Sequence, residues 1–371
     1  MSPTVPTGLW ATAAVLLMAG LLAGCAGPNA DAPRAADGTA PAPAASAETQ
    51  AVAPVQAPGA ASKTAQAPGF VRMRLGQLNV TALYDGKVEI DRKLLGGRPA
   101  ATIAQLLRQG RQPSDQGVQT AVNAFLFDDG KNVVLVDTGA ADTLGPGMGR
   151  LLESLAAAGY AAPDVTAVLL THLHPDHAGG LLQGGQAAFP NAEVYAAKAE
   201  ADFWLSEART KAAPEAVRPY FVGAQKAVAP YQQAQRFHTF AAGERLVGSF
   251  GAVALAGHTP GHSGFAVQSG GETLLLWGDV VHSHTTQFAD PTVALEFDVN
   301  QKQARATRVK ALQDAARSGT WVAGAHMPFP GIGRVLANGK GYRWLPLDYS
   351  QALSDAAARQ PSPPAKAAAK R

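Results

Sequence analysis

Residues 172–177 read His-Leu-His-Pro-Asp-His, and they directly follow the apolar run 168–170 and Thr171. In an extended chain, residues i and i+2 project to the same side, so His172 and His174 can face one ion. The turn at Pro175 then lets Asp176 and His177 face a second ion beside the first. A histidine-rich surface turn is the alternative, but the 371 residues include only nine histidines. Three of them within six positions therefore indicate a metal site, and such ligands suit Zn²⁺, and also Mn²⁺, Fe²⁺ or Co²⁺.

Short β-rich runs and helical runs alternate on both sides of this stretch. Apolar runs bounded by turn residues predict buried strands, and residues with helical spacing predict helices. Residues 199–237 are predicted as helices inserted between strands. This mixture favours an α/β or α+β layered architecture. The predicted strands are Val133–Val136, Val168–Leu170, Val194–Tyr195 and Leu274–Trp277, and the predicted helices are Arg150–Ala158 and Gln301–Arg317.

The N-terminus is predicted to be an export signal. Residues 9–24 are apolar, end in small residues and are too short for a comfortable membrane span. They run into Leu-Ala-Gly-Cys at 22–25, which resembles the lipobox of bacterial lipoproteins, and Cys25 is the only cysteine. We therefore expect residues 1–25 to be a signal peptide with lipidation at Cys25 and the protein to be periplasmic, in contact with a membrane only through its lipid anchor. An ordinary cleaved signal is the alternative.

Behind the signal, residues 26–69 are rich in Ala and Pro and contain no aromatic residue, which predicts a disordered tether. The folded domain is predicted over 70–350, followed by a flexible tail over 351–371. The formal net charge is only +3 and no dense basic block is present, which argues against nucleic acid as a partner. The sequence contains no GxGxxG or P-loop pattern, so the metal site is the feature that points to chemistry on a small molecule.

The run 172–177 resembles the HxHxDH signature of the metallo-β-lactamase-fold hydrolases, whose fold is an αββα sandwich. Asp137-Thr-Gly139 matches the Asp-Thr-Gly that closes an early strand in that family. The resemblance implies two metal ions, zinc first among the candidates, and seven ligands. It assigns one ion to His172, His174 and His258, the other to Asp176, His177 and His326, and both to the bridging Asp279.

The family's chemistry implies a hydroxide shared by the two ions that attacks an ester, lactone or phosphotriester bond. Asp176 is then the proton shuttle to the leaving oxygen, in addition to being a ligand. His262 lies in the same short stretch as His258, and we expect it to orient or pack against the ligands. His238, His282 and His284 are expected to be solvent-facing or core histidines.

Asp279 separates the chain from true β-lactamases, which lack a carboxylate there. The surrounding sequence resembles methyl parathion hydrolase and its quorum-quenching lactonase relatives, through 201–204, 277–282, 281–291 and 329–333. By that resemblance Trp204 and Phe221 line the substrate pocket, although core packing is an equal alternative. Leu144 stands in place of an aromatic of that pocket. His282 stands where acyl-homoserine lactonases carry a tyrosine, which makes it a further candidate for the substrate pocket.

Three other functions remain open. A glyoxalase II-like thioesterase would need a helical C-terminal domain, and only 45 residues follow His326. A sulfur dioxygenase of this fold would use a single iron held by two His and one Asp. A non-catalytic binding lipoprotein would retain the fold without the chemistry. By analogy with relatives, a homodimer is also possible.

Overall fold

The computed structural model describes residues 66–67, 69–112 and 117–349. The predicted signal with Cys25, most of the predicted tether and the predicted C-terminal tail lie outside the described residues. Within them, no helix has both the length and the apolarity that crossing a lipid bilayer requires.

The first β-sheet has seven strands in the order β1-β2-β4-β5-β6-β9-β10. Pairing is antiparallel from β1 to β5 and parallel from β5 to β10. The interior strand β6 is buried along its whole length, as expected of a parallel strand covered on both faces. The strands are β1 (Phe70–Leu75), β2 (Leu78–Ile90), β4 (Val118–Asp128), β5 (Val133–Val136), β6 (Ala167–Leu169), β9 (Glu193–Ala197) and β10 (Phe237–Phe240).

The second sheet has six strands in the order β11-β12-β13-β15-β16-β17, and its one parallel pair is β13 with β15. Its strands are β11 (Phe250–Ala254), β12 (Ser263–Ser269), β13 (Glu272–Leu276), β15 (Trp321–Ala323), β16 (Ile332–Asn338) and β17 (Gly341–Pro346). Two small ladders complete the strands, β3 (Leu95–Gly96) with β14 (Ala294–Leu295) and β7 (Leu182–Gln183) with β8 (Gln186–Ala187).

The helices flank the two sheets. The longest, α8, begins where the Asn300 side chain accepts a hydrogen bond from the Gln303 N–H and ends at Gly319, whose φ is 67°. Both are the residue types favoured at those two positions. The helices are α1 (Ala100–Gln109), α2 (Leu151–Ala157), α3 (Pro175–Ala178), α4 (Lys198–Trp204), α5 (Glu207–Ala212), α6 (Arg218–Gln233), α7 (His284–Ala289) and α8 (Gln301–Ser318).

Three apolar clusters define the layers. Phe125 and Leu169 of the first sheet meet Phe265 and Ile332 of the second in the central cluster. The opposite face of the first sheet packs against helices α2, α4 and α6, and the opposite face of the second packs against α8. The order of layers is therefore helix, sheet, sheet, helix. The predicted αββα sandwich is confirmed.

The predicted elements are all present, with small shifts at their ends. The strand predicted at Val168–Leu170 runs over Ala167–Leu169, and the helix predicted at Arg150–Ala158 runs over Leu151–Ala157. Residues 199–237 contain α4, α5 and α6, as predicted. The ends differ because an apolar run marks burial, while backbone pairing decides where an element stops.

Candidate metal centre

The predicted ligands converge where strands of both sheets end. Thr171 and His172 follow β6, and α3 carries Asp176 and His177. From the second sheet, Asp279 follows β13 and His326 follows β15, while His258 lies in the turn between β11 and β12. Since β6, β13 and β15 all present their carboxyl ends here, the sandwich gathers residues that are distant in sequence.

The structure brings the seven predicted residues together as two adjoining sets. Within each set, the candidate donor atoms all lie within 4.8 Å of one another. The first set is His172, His174, His258 and Asp279, and the second is Asp176, His177 and His326.

Asp279 lies between the two sets. Its Oδ1 is 3.1 Å from His177 Nε2. Its Oδ2 is 3.2 Å from His258 Nε2 and 3.1 Å from His326 Nε2. One buried carboxylate thus contacts histidines of both sets, which is the position that a bridging ligand requires.

Hydrogen bonds from behind orient the rings. His177 Nδ1 is 2.9 Å from the carboxylate of Asp137, which also accepts the backbone N–H of Thr171 at 2.8 Å. The His326 ring is held through Nδ1 by the carbonyl of Ala121 at 2.9 Å. Such partners fix the imidazole tautomer and leave Nε2 free to bind a cation.

The buried donors fit divalent cations. His172 Nε2, His177 Nε2 and Asp279 Oδ1 are inaccessible to solvent and have no hydrogen-bond partner among the described residues. Each buried polar atom without a partner costs about 1–3 kcal/mol. Two nitrogens and an anionic oxygen that converge in this way are the ligand chemistry of Zn²⁺ and similar ions.

The surroundings shift the pKa values of the candidate ligands in two directions. Burial, together with the neighbouring His177 ring, lowers the pKa of His172 well below its ordinary value, and burial with His258 does the same for His174. Burial alone would raise the pKa of Asp279, but the surrounding histidines, His177 first, hold it well below its usual range. Burial alone would lower the pKa of the three remaining rings, but the carboxylates, Asp279 first, raise it above the ordinary value for His177, His258 and His326. Because metals bind neutral imidazoles and ionised carboxylates, a bound cation would displace the protons of these three rings.

His262 supports Asp279 from behind and belongs to neither ligand set. Its Nδ1–H donates to the Leu255 carbonyl at 2.8 Å, and its Nε2 accepts the backbone N–H of Asp279 at 2.9 Å. The adjacent Gly278 has a φ of +51°, and a Cβ there would lie 2.6 Å from His262 Nε2. His262 thus contacts the backbone of Asp279, and glycine is required beside it. That it orients or packs against metal ligands stays a prediction.

Glu200 is a supporting residue that sequence reasoning missed. Its buried carboxylate accepts the Leu173 N–H at 3.0 Å, the Thr259 hydroxyl at 2.7 Å and the Gly261 N–H at 2.9 Å. It therefore links the loop of His172 and His174 to the loop of His258. Nothing in its helical sequence context, Lys-Ala-Glu-Ala-Asp, distinguishes it from an exposed glutamate.

His282 and Tyr220 also approach the site. His282 is buried, as a core histidine would be, but its Nε2 is 2.8 Å from Asp279 Oδ2 and its ring stacks on His326 with centroids 4.9 Å apart. The half-buried Tyr220 ring lies 6.0 Å from that of His174. His238 is far from this chemistry and pairs with Glu193, while His284 begins α7 and is half-buried.

Solvent reaches the site beside His174 and Asp176, which are partly exposed while the other five candidate ligands are buried. Trp204 lies next to this opening, its ring 5.2 Å from that of His174, but it is only 1% exposed and packs against Phe221 in the helical core cluster. Leu144 is half-buried against the Val122, Ala140 and Met148 cluster. That these residues line a substrate pocket stays a prediction.

Trp204→Ala tests the two roles of this side chain. Because the indole is enclosed by the core, we expect the free energy of unfolding to fall by about 3–5 kcal/mol in denaturant titrations. Trp321→Ala, at a half-buried tryptophan of β15, is the matched control and should cost clearly less. A loss below about 1 kcal/mol together with a raised KM would show that Trp204 is chiefly a wall of the pocket.

The sequence profile of the metallo-beta-lactamase superfamily matches residues 117–326, which include all seven candidate ligands. The chain belongs to the metallo-beta-lactamase superfamily. Two curated relatives are probable metallo-hydrolases of Mycobacterium bovis and Mycobacterium tuberculosis, each 27% identical over 245 residues that cover 57% of this chain and 76% of the relative.

Solved structures of the superfamily share the fold over most of the described chain. The hydrolase AbOPH is 37% identical with a TM-score of 0.74, covering 77% of this chain and 100% of that one. AidC, a dizinc quorum-quenching lactonase in complex with a product, N-hexanoyl-L-homoserine, is 28% identical with a TM-score of 0.70, covering 76% and 99%. The superfamily member described here is thus a metal-dependent hydrolase of this fold.

Proposed function

We propose that the protein hydrolyses lactone, ester or phosphotriester bonds of small molecules with two divalent cations, zinc foremost, held by the two ligand sets. The single observation that carries this proposal is the position of Asp279, which contacts histidines of both sets at 3.1–3.2 Å. When bound, the cations would supply Lewis acidity, lowering the pKa of a shared water and polarising the substrate oxygen.

The chain's own residues have separate tasks in this proposal. His172, His174 and His258 would hold one cation, and Asp176, His177 and His326 would hold the other with Asp279 between them. Asp176 has a side chain that is 17% exposed and lies at the open side of the site. We propose that this carboxylate takes a proton from the attacking water and delivers it to the leaving oxygen.

The surroundings of the opening favour a small, partly apolar substrate. The rings of Trp204 and Tyr220 approach His174 from the helical layer, with centroids 5.2 and 6.0 Å from its ring. The likeness to AidC over nearly all of that chain supports lactones as the first class to test. Leu144, in place of the aromatic expected of a phosphotriesterase, supports the same order.

The test is a substrate panel on the full-length protein loaded with zinc, using homoserine lactones, aryl acetates and a paraoxon-like triester. We expect hydrolysis of lactones with a kcat/KM above that of the triester. Treatment with excess EDTA should abolish each activity, and added zinc should restore it. Undiminished hydrolysis in EDTA, or no turnover of any class by protein that contains two zinc ions, would contradict the proposal.

A further inference from the structure

A buried ion pair lies directly behind His258. The carboxylate of Asp298 is 3.0 Å from His258 Nδ1, and its other oxygen is 3.5 Å from Nη2 of Arg308 on α8. Both side chains are 0–1% exposed. Neither residue belongs to the two ligand sets or to the predicted site.

Arg308 also reaches the segment next to the bridging carboxylate. Its Nε–H donates to the Val280 carbonyl at 2.7 Å, one residue beyond Asp279. Its Nη1 donates to the Val293 carbonyl at 2.6 Å. A single guanidinium on α8 therefore ties the loop of Asp279 to the carboxylate behind His258.

The backbone on either side of Asp298 is attached to the His258 turn as well. The N–H of Val299 donates to the His258 carbonyl at 2.8 Å, and that of Asn300 donates to the Gly257 carbonyl at 2.9 Å. The carboxylate thus has a fixed position relative to the ring that it contacts. The ring in turn directs Nε2 towards Asp279 Oδ2, 3.2 Å away.

Stability alone does not explain a pair buried in this way. Desolvating two charges costs as much as their attraction returns, so a buried ion pair contributes little net stability compared with apolar side chains of similar volume. A carboxylate behind a metal-binding histidine has a different effect. It holds the proton on the rear nitrogen, fixes the ring and makes the front nitrogen a better ligand.

From these contacts we infer that Asp298 and Arg308 are positioning residues that hold His258 in its ligand geometry and so set the metal affinity of the first set. The inference rests on the proposed function, because it needs a cation bound by His172, His174 and His258. Asp298 and Arg308 do not contact the histidines of the second set, whose rings are held instead by Asp137 and by the Ala121 carbonyl. The effect should therefore be confined to one of two sites.

Asp298→Asn in the full-length protein tests the inference, because asparagine keeps the shape and removes the charge. The measurement is competition for zinc with a chromophoric chelator, which gives both site affinities. We expect one affinity to fall by about 10–100-fold and the other to stay within about threefold. Arg308→Lys, which keeps the charge and loses the planar fork, should weaken the same site by a smaller factor.

Asp290→Asn is the matched control. Asp290 lies in the same stretch of chain and forms an ion pair with Arg98 at 2.6 Å, but it contacts none of the ligands. The Asp290→Asn protein should bind zinc at both sites with wild-type affinity. Thermal unfolding of the metal-free proteins reports any general loss of stability. Should Asp298→Asn fail to fold, Arg308→Lys decides by the same readout.

The inference would be overturned if Asp298→Asn, or Arg308→Lys where the first variant does not fold, bound zinc at both sites with wild-type affinity. An equal loss at both sites, in proportion to a lowered melting temperature of the metal-free protein, would also overturn it, because that is the result of a purely structural role. A wild-type protein that binds fewer than two zinc ions would instead contradict the proposed function. The two failures are thus distinguishable.

Discussion

Asp279→Ala is expected to lose both metal ions at micromolar concentrations and to lower kcat/KM by at least about 10³-fold, or about 4 kcal/mol of transition-state stabilisation. The two carboxylate oxygens of Asp279 lie 3.1–3.2 Å from His177, His258 and His326, so substitution by alanine removes the one anion that both ligand sets share. Elemental analysis after dialysis gives the occupancy, and steady-state kinetics on the best substrate of the panel gives the rate.

Asp314→Ala is a suitable control for this experiment, since Asp314 is an exposed carboxylate of α8 that pairs only with neighbouring basic residues. It should retain both metals and the full rate. An Asp279→Ala protein that keeps two ions after dialysis would show that Asp279 does not bridge. One that loses metal without losing rate would show that the reaction does not use these sets.

Asp176→Asn, assayed at saturating zinc, is expected to lower kcat by about 10²–10⁴-fold for substrates with poor leaving groups. The amide can still occupy the ligand position, but it cannot carry a proton between the attacking water and the leaving oxygen. Substrates with good leaving groups, such as nitrophenyl esters, should lose much less, because their departing oxygen needs no proton. The measurement is kcat across a series of esters that differ only in the leaving group.

The slope of log kcat against the pKa of the leaving group separates the two roles of Asp176, ligand and proton shuttle. If the residue acts only as a ligand, the loss is the same for every leaving group and zinc affinity of the second set falls in parallel. Asp202→Asn is the control, because this exposed carboxylate of α4 pairs with Lys198 and lies outside the ligand sets. It should leave both the rates and the slope unchanged.

The residues that sequence could predict are those whose role is visible locally. Four candidate ligands within six residues indicate a metal site without any knowledge of the fold, and an apolar run before them predicts the strand that positions them. The αββα order and the distant ligands His258, Asp279 and His326 depended on resemblance to a family. No spacing rule links these residues to the run 172–177, which precedes them by about 80 to 150 positions.

The residues that sequence could not predict act through contacts formed only on folding. Asp298 is 40 residues from His258, and Arg308 sits on a polar helix where an arginine is normally exposed. His282 was expected to be an ordinary core histidine or a pocket residue, and only the packed structure shows it 2.8 Å from Asp279. Burial cannot be deduced from residue type when a polar side chain is enclosed by distant segments.

The most direct test of a two-metal hydrolase is the metal content of the active full-length protein, measured together with its hydrolytic rate during titration with a chelator. Two divalent ions per chain are predicted, with hydrolysis lost as they are withdrawn and recovered when zinc is returned. A fully active protein with one ion per chain, as an iron dioxygenase of this fold would show, or with none, would contradict the account.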